Sequence, residues 1–282
     1  MKSLIDILKA SVQHLEKKGI ANPKRKAEDM LCDVLGIQRL QLYLEFERPL
    51  NDQELVRSRE YLNRVGQGEP LQYVHGEVEF YGCSFFVNRD VLIPRQETEV
   101  LVDKIVQALS KIDLVGKTLL DLCCGSGCIG ISIKKRFPEL KVVLSDKSIA
   151  ALNVARKNAE RNEVEIKFLE GDLLEPFKNE KAHFIVCNPP YIAEKEYLKL
   201  EKEVRDFEPK LALISGPKGI EFYERLAHEL PAHLYPGAMV WFEIGFDQGP
   251  TVYELFKGKP WKGQIVENDW AGHSRFFFLE NE

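Results

Sequence analysis

Asn188-Pro189-Pro190-Tyr191 directly follows the apolar run Ala182-His183-Phe184-Ile185-Val186-Cys187, and its residue types suit the holding of a planar amino group. The run reads as a buried strand, and two prolines cannot continue it. Pro190 pushes Pro189 towards extended geometry, so the backbone at this strand end is stiff. The stiff segment offers an amide side chain, a carbonyl beside a residue with no N–H, and an aromatic ring. Two acceptors and one flat face can hold a carboxamide or the exocyclic amine of a base. Alone, the same residues would also make a Pro-Pro turn with a surface tyrosine.

A second constellation lies upstream. Asp121-Leu122-Cys123-Cys124-Gly125-Ser126-Gly127 ends in a helix that carries Gly130. Such a loop turns tightly and lets a ligand approach main-chain N–H groups. Gly125-x-Gly127-x-x-Gly130 formally matches a dinucleotide fingerprint, and Asp146 ends the next strand, where a ribose diol would be held. NAD and S-adenosylmethionine both satisfy that pattern. Asp121, before the loop, is placed to receive a ligand amino group and is poorly placed beside a pyrophosphate. Gly171-Asp172 can supply an acceptor or an edge for adenine, with Leu173 packing on the ring. These features favour S-adenosylmethionine. Asp146 and Asp172 singly are ordinary loop carboxylates; at the ends of consecutive strands, with Asn188 ending the next, they read as one crevice of an open α/β sheet.

The elements that must position these residues follow from periodicity. Residues up to Gly68 read as helices only: Leu4, Ile5, Leu8, Val12 and Leu15 share one face, Asn22-Pro23 opens a second helix that Gly36 closes, and Asn51 with Glu54 forms a capping box for a third. From Gln72 to Val87 the pattern alternates, a hairpin signal. After Pro94 strands and helices alternate: strands over 118–123, 141–145, 165–169, 182–187 and 238–244, helices between them, and a terminal antiparallel pair over 264–267 and 275–279. That rhythm predicts an α/β fold with a mainly parallel sheet covered on both faces. The expected division is residues 1–68 helical, 69–93 a linking β-hairpin and 94–282 the ligand-binding domain.

Composition bounds the rest. The chain has 282 residues, 44% hydrophobic and 29% charged, enough for a real core. The opening residues carry charge within their apolar periodicity, unlike a signal peptide, and no stretch has the length of a membrane span, so a cytoplasmic address is expected. Six cysteines, at 32, 83, 123, 124, 128 and 187, lack metal-ligand spacing and read as reduced core residues, with no metal site. A net charge of −5 argues against broad electrostatic capture of nucleic acid. No histidine sits in a nucleophile or ligand motif. His183 and His75 read as structural, Glu208 as a brace for the Asn-Pro-Pro-Tyr turn, Arg275 as a holder of the sheet edge. Arg95, Glu97 and Glu99 read as either a lid or a helix cap.

The Asp-Leu-Cys-Cys-Gly-Ser-Gly loop with Asn-Pro-Pro-Tyr resembles class I methyltransferases that modify planar nitrogen. Further segments narrow the resemblance: Ile93-Pro94-Arg95-Gln96-Glu97-Thr98-Glu99, Phe207-Glu208-Pro209, Gly216-x-x-Gly219 and Asp269-Trp270-Ala271-Gly272-His273-Ser274-Arg275. With these the whole chain is similar to the bacterial protein-(glutamine-N5) methyltransferase (PrmC/HemK) family. The resemblance implies a Rossmann-like class I fold with a helical N-terminal domain that binds the protein substrate. It implies S-adenosyl-L-methionine as cofactor, S-adenosyl-L-homocysteine as product, and class 1 peptide chain release factors as substrate, methylated on the glutamine of their Gly-Gly-Gln motif. It implies cofactor contacts from Asp121, Cys123, Cys124, Gly125, Ser126, Gly127, Asp146, Asp172, Leu173 and Asn188. It implies substrate binding by Asn188, Pro189, Pro190 and Tyr191: Asn188 and Pro189 would accept the two amide N–H bonds and Tyr191 would pack on the amide plane. Departures are Cys123-Cys124 where small residues are common, Gln96 in place of a frequent proline, and Leu173 where some members carry an aromatic residue. A nucleic-acid amino methyltransferase, acting on adenine N6 or guanine N2, is the alternative; an NAD-dependent oxidoreductase or a non-catalytic S-adenosylmethionine-binding adaptor leaves the Asn-Pro-Pro-Tyr turn or its completeness unexplained. A monomer without stable nucleic-acid binding is expected.

Overall fold

The computed structural model describes residues 2–178, 180–258 and 260–282. They form two compact units, one running to Gly76 and including Glu201–Phe207, the other made of Glu77–Leu200 and Glu208–Glu282. Among the described residues no helix is long and apolar enough to cross a membrane.

In the first unit the helices are α1 (Leu4–Lys17), α2 (Pro23–Leu35), α3 (Arg39–Leu44), α4 (Asp52–Gly66) and α5 (Leu71–His75). Leu4, Leu8 and Leu15 of α1 meet Leu31 and Val34 of α2 and Val65 of α4 in one core. The Asn51–Glu54 capping box forms, with the Glu54 N–H donating to Asn51 Oδ1 at 2.9 Å. Asn22 precedes α2 as expected but sits in the left-handed region and makes no side-chain cap bond. Where the alternation predicts a strand from Gln72, the chain is still helical and the unit extends to Gly76 rather than Gly68. Tyr73 and Val74 are buried there, Val74 in the helical core, and that burial overrides the local pattern.

The second unit opens with a hairpin of β1 (Glu77–Phe80) and β2 (Cys83–Phe86). It continues through α6 (Gln96–Leu109), β3 (Thr118–Leu122), α7 (Cys128–Arg136), β4 (Lys141–Asp146), α8 (Ile149–Arg161), β5 (Lys167–Glu170) and β6 (Ala182–Cys187). After β7 (Ile192–Ala193) come α9 (Glu194–Tyr197) and α10 (Lys202–Phe207), the latter within the helical unit. Then follow β8 (Ile214–Gly216), α11 (Glu221–Glu229), β9 (Leu234–Glu243), α12 (Gly249–Leu255), β10 (Trp261–Asn268) and β11 (Ser274–Asn281). The main sheet has seven strands in the order β10-β11-β9-β6-β3-β4-β5. From β9 to β5 all pairings are parallel, and β11 and β10 join antiparallel at one edge.

Successive strand residues point to opposite faces, and the two cores follow that alternation. Leu119, Val142, Leu144, Phe184, Val186 and Trp241 face one cluster with residues of α6, α7 and α8. Leu120, Leu122, Val143, Ile185, Cys187, Val240 and Phe242 face the other, with residues of α11 and α12. The strands are apolar on both faces, which is why they read as continuous runs.

The topology places the site. The chain runs outward from β3 to β4 to β5, then returns to β6 on the other side of β3. The switch point therefore lies between β3 and β6, and a crevice opens beyond their carboxyl ends. The loop 123–127 and the turn 188–191 are the two segments that leave those ends.

Gly127 sets how closely α7 approaches the sheet. It precedes α7 at φ 79°, and a Cβ there would meet Ile131 at 2.8 Å, Leu144 at 3.0 Å and Ala155 at 3.2 Å. Gly127→Ala should cost about 2–4 kcal/mol, combining left-handed strain with overpacking. Thermal unfolding should shift down by several degrees; an unchanged midpoint would refute this packing role.

Candidate active site

The crevice holds a cavity of about 230 Å³ lined by loop 123–126, the start of α7, Asp146, Gly171-Asp172-Leu173, Asn188 and Pro190. Segments 89–95 and 209–212 complete its wall. Of the residues expected to hold cofactor, Cys123, Cys124, Gly125, Ser126, Asp146, Asp172, Leu173 and Asn188 lie on this wall. Asp121 and Gly127 do not, and neither do Pro189 and Tyr191.

Asp146 receives the loop. Its carboxylate accepts from the Gly125 N–H at 2.9 Å and the Ser148 N–H at 2.8 Å. Burial raises its pKa, opposed by those bonds. Gly125 faces open space, so a Cβ there would meet nothing within 4 Å. The first residues of α7, Cys128 and Ile129, also reach the cavity, so the N-terminal N–H groups of the helix favour an anionic ligand group at that end.

Asp121 is 1% exposed. Its Oδ2 accepts from the Gly130 N–H at 2.9 Å, while Oδ1 has no partner among the described residues. Burial pushes its carboxyl up to about 7, with the Gly130 N–H opposing and the Asp146 charge adding to the rise. It braces the start of α7. Asp172, expected as an acceptor, carries two cations: Lys147 at 3.1 Å and Arg225 at 3.0 Å. Burial alone would raise the Asp172 carboxyl, but Lys147 and Arg225 together hold it below its usual value. Leu173, at φ 54° and buried, presents apolar surface.

On the other wall, Asn188 leaves β6 beside Glu243, which ends β9; the register Cys187↔Phe242 makes them neighbours. Tyr191 packs against the α11 side of the sheet, and burial raises its phenol. Its backbone oxygen accepts from Gln248 Nε2 at 2.9 Å, and the same Nε2 donates to the Gly219 carbonyl at 2.9 Å. A Cβ on Gly219 would lie 2.8 Å from the Tyr191 oxygen, so only glycine lets these backbones meet.

Glu208 is buried and reaches the segment before α6. It accepts from the Ile93 N–H at 3.2 Å and from Arg95, and so fixes segment 89–95. Arg95 lines the cavity and caps α6 by position, whereas Glu99 accepts from the Tyr81 N–H at 2.8 Å and ties down the hairpin. Arg275 donates to Asp269 and to the Ile244 carbonyl, each at 3.4 Å. His183 Nδ1 accepts from the Thr118 N–H at 3.2 Å.

Thr98, Gln248 and Glu243 are site residues that sequence reasoning missed. Only Glu243 left a signal: a carboxylate closing the apolar run Ala238-Met239-Val240-Trp241-Phe242. A charge at that depth needs a reason.

Comparison with known proteins fits this geometry. The Methyltransferase small domain profile matches residues 96–204, and the PrmC N-terminal domain profile matches residues 6–76. The release factor glutamine methyltransferase of Chlamydia trachomatis serovar L2 is 41% identical, over 98% of this chain and 93% of its own. The chain belongs to the release factor glutamine methyltransferase family. The Leptospira interrogans release factor glutamine methyltransferase is 39% identical over 98% of each chain, and that of Bacillus subtilis is 37% identical over 95% of this chain and 93% of its own. The fold is shared more widely. The hMettl16 catalytic domain, solved in complex with MAT2A 3'UTR hairpin 6, aligns at TM-score 0.55 and 15% identity over 82% of each chain.

Proposed function

We propose that this release factor glutamine methyltransferase family member transfers a methyl group from S-adenosyl-L-methionine to the side-chain amide nitrogen of the Gly-Gly-Gln glutamine in class 1 release factors. One observation carries the reading: Asn188, with two prolines behind it, stands at the switch-point wall of the cavity that Asp146 and the loop 123–126 also line.

The residues present fit S-adenosylmethionine. The α7 N-terminus suits its carboxylate, Asp146 its ribose diol, and Leu173 the face of its adenine. Asp121, off the cavity wall, acts on the site through the Gly130 N–H bond that it accepts, which sets the start of α7. When bound, the cofactor supplies an electrophilic methyl group.

The chain's own residues must then make a poor nucleophile reactive. An amide lone pair is delocalised into its carbonyl. Asn188 Oδ1 and the Pro189 carbonyl accept its two N–H bonds, and these acceptors become more favourable as positive charge develops on nitrogen. Tyr191 restricts rotation of the amide plane, and the Gln248 and Gly219 contacts hold the backbone that carries it. The methylated nitrogen is strongly acidic, so it loses its extra proton without a dedicated base.

The experiment is transfer of labelled methyl from S-adenosylmethionine to purified release factor, with a Gly-Gly-Gln glutamine-to-alanine control. Label on the wild type alone supports the reading. Label on neither, with S-adenosylmethionine bound, refutes the substrate and turns attention to nucleic-acid amino groups.

We assign substrate docking to the helical unit. Its exposed apolar residues support this, Leu40 being 70% and Leu44 76% exposed on α3. Leu40→Asp with Leu44→Asp should raise the KM for release factor about tenfold, the effect of roughly 1.4 kcal/mol, and leave cofactor affinity unchanged. An unaltered KM would place docking elsewhere.

A further inference from the structure

Glu243 is 2% exposed, yet among the described residues it makes no ion pair. Isolating a carboxylate from water costs several kcal/mol, and the mechanism above makes no use of it. On the cavity wall Thr98 Oγ1 donates to its Oε2 at 2.7 Å, and Asn188, its neighbour in the β6–β9 register, lies next to it. Its backbone carbonyl accepts from the Tyr223 hydroxyl at 2.8 Å. Glu243 is thus held at its side chain and at its backbone, next to Asn188 in the sheet register.

An asparagine side chain presents oxygen and nitrogen with nearly the same shape, so packing alone does not choose between its two orientations. An ionised carboxylate does choose, because only the N–H side can face it. We propose that Glu243 is the positioning residue for Asn188: by accepting from Nδ2 it holds Oδ1 towards the substrate amide, and Thr98 fixes the carboxylate that does so. This rests on the functional reading above. The bond also polarises the Asn188 amide and strengthens its oxygen as an acceptor.

Protonation of Glu243 would remove the selection, since a carboxylic acid can donate to Oδ1 and present the wrong end to the substrate. Burial pushes the Glu243 carboxyl up to about 7, against the Thr98 bond and the Arg275 charge. Among the described residues the charged groups facing it are Arg275 of β11 and Glu97 of α6, while Cys128, Tyr191 and Tyr223 face it as neutral groups. Activity therefore requires the ionised form and rises with pH through the neutral range.

The test compares wild type, Glu243→Gln and Thr98→Val in methyl transfer to release factor across that range. Glu243→Gln should lower kcat roughly 10- to 100-fold, as expected of lost orientation, with the KM for S-adenosylmethionine within about twofold. It should also lose the neutral pH dependence. Thr98→Val removes a bond that favours the ionised carboxylate, so its pH dependence should move to higher pH. A Glu243→Gln kcat close to wild type, or an unmoved Thr98→Val profile, overturns the proposal. The side-chain NH2 resonances of Asn188 in the wild-type protein give a reading that needs no substrate. They should titrate in the neutral range, and resonances that stay fixed overturn the proposal even if Glu243→Gln does not fold. Absence of transfer by the wild type itself would instead count against the substrate assignment, with the resonances still deciding the Glu243 contact.

Discussion

Asn188→Ala should reduce kcat for methyl transfer by at least about 10²–10³-fold, the loss typical of deleting one preorganised polar group at a reacting centre. The affinity for S-adenosylmethionine should stay within about threefold. The separation follows from where Asn188 sits. It belongs to the wall after β6, while the loop after β3 and the Asp146 carboxylate hold the other half of the cavity without it. Alanine keeps the strand and both prolines, so the turn retains its stiffness. It also removes the proposed donor to the buried Glu243 carboxylate, a loss that should cost about 1–3 kcal/mol of stability. Calorimetric binding beside Michaelis analysis checks the split. Equal loss of turnover and cofactor affinity would mean that the turn collapses and that Asn188 is structural.

Asp146→Ala should show the opposite pattern. Its carboxylate accepts from the Gly125 and Ser148 N–H groups, so it both shapes the loop and offers oxygens to a ribose diol. Hydrogen bonds to a charged group contribute about 1.5–3 kcal/mol each. Loss of the diol contacts and of loop order together should weaken S-adenosylmethionine binding by roughly 10²–10³-fold, with the KM for release factor little changed at saturating cofactor. Binding isotherms at several cofactor concentrations measure this directly. An unaltered dissociation constant would remove Asp146 from the cofactor site.

Much of the fold was legible because the parallel strands are buried on both faces. Runs such as Ala182–Cys187 announce themselves as strands, and glycine- or proline-rich loops mark their carboxyl ends. The convergence of loop 123–127 and turn 188–191 followed from that rhythm, and the sheet order places both beside the switch point. What stayed hidden was pairing at long separation. Nothing near Asp172 announces Arg225, and nothing near Asn188 announces Glu243 or Gln248. The helix Leu71–His75 was hidden for a related reason: its pattern is locally strand-like, and burial of Tyr73 and Val74 decides its form.

The hold on Tyr191 has a consequence for anyone who would move this chemistry to another scaffold. Four residues, Asn188 to Tyr191, look portable as a peptide, and a graft onto any parallel strand end would copy them faithfully. Their shape, however, is stored elsewhere in the chain: in the Gln248 amide that bridges the Tyr191 and Gly219 carbonyls, and in a glycine that no other residue can replace without colliding with the tyrosine backbone. A transplant limited to the turn would carry the letters without the frame. The smallest transferable unit is the turn together with the segments bearing Gly219 and Gln248.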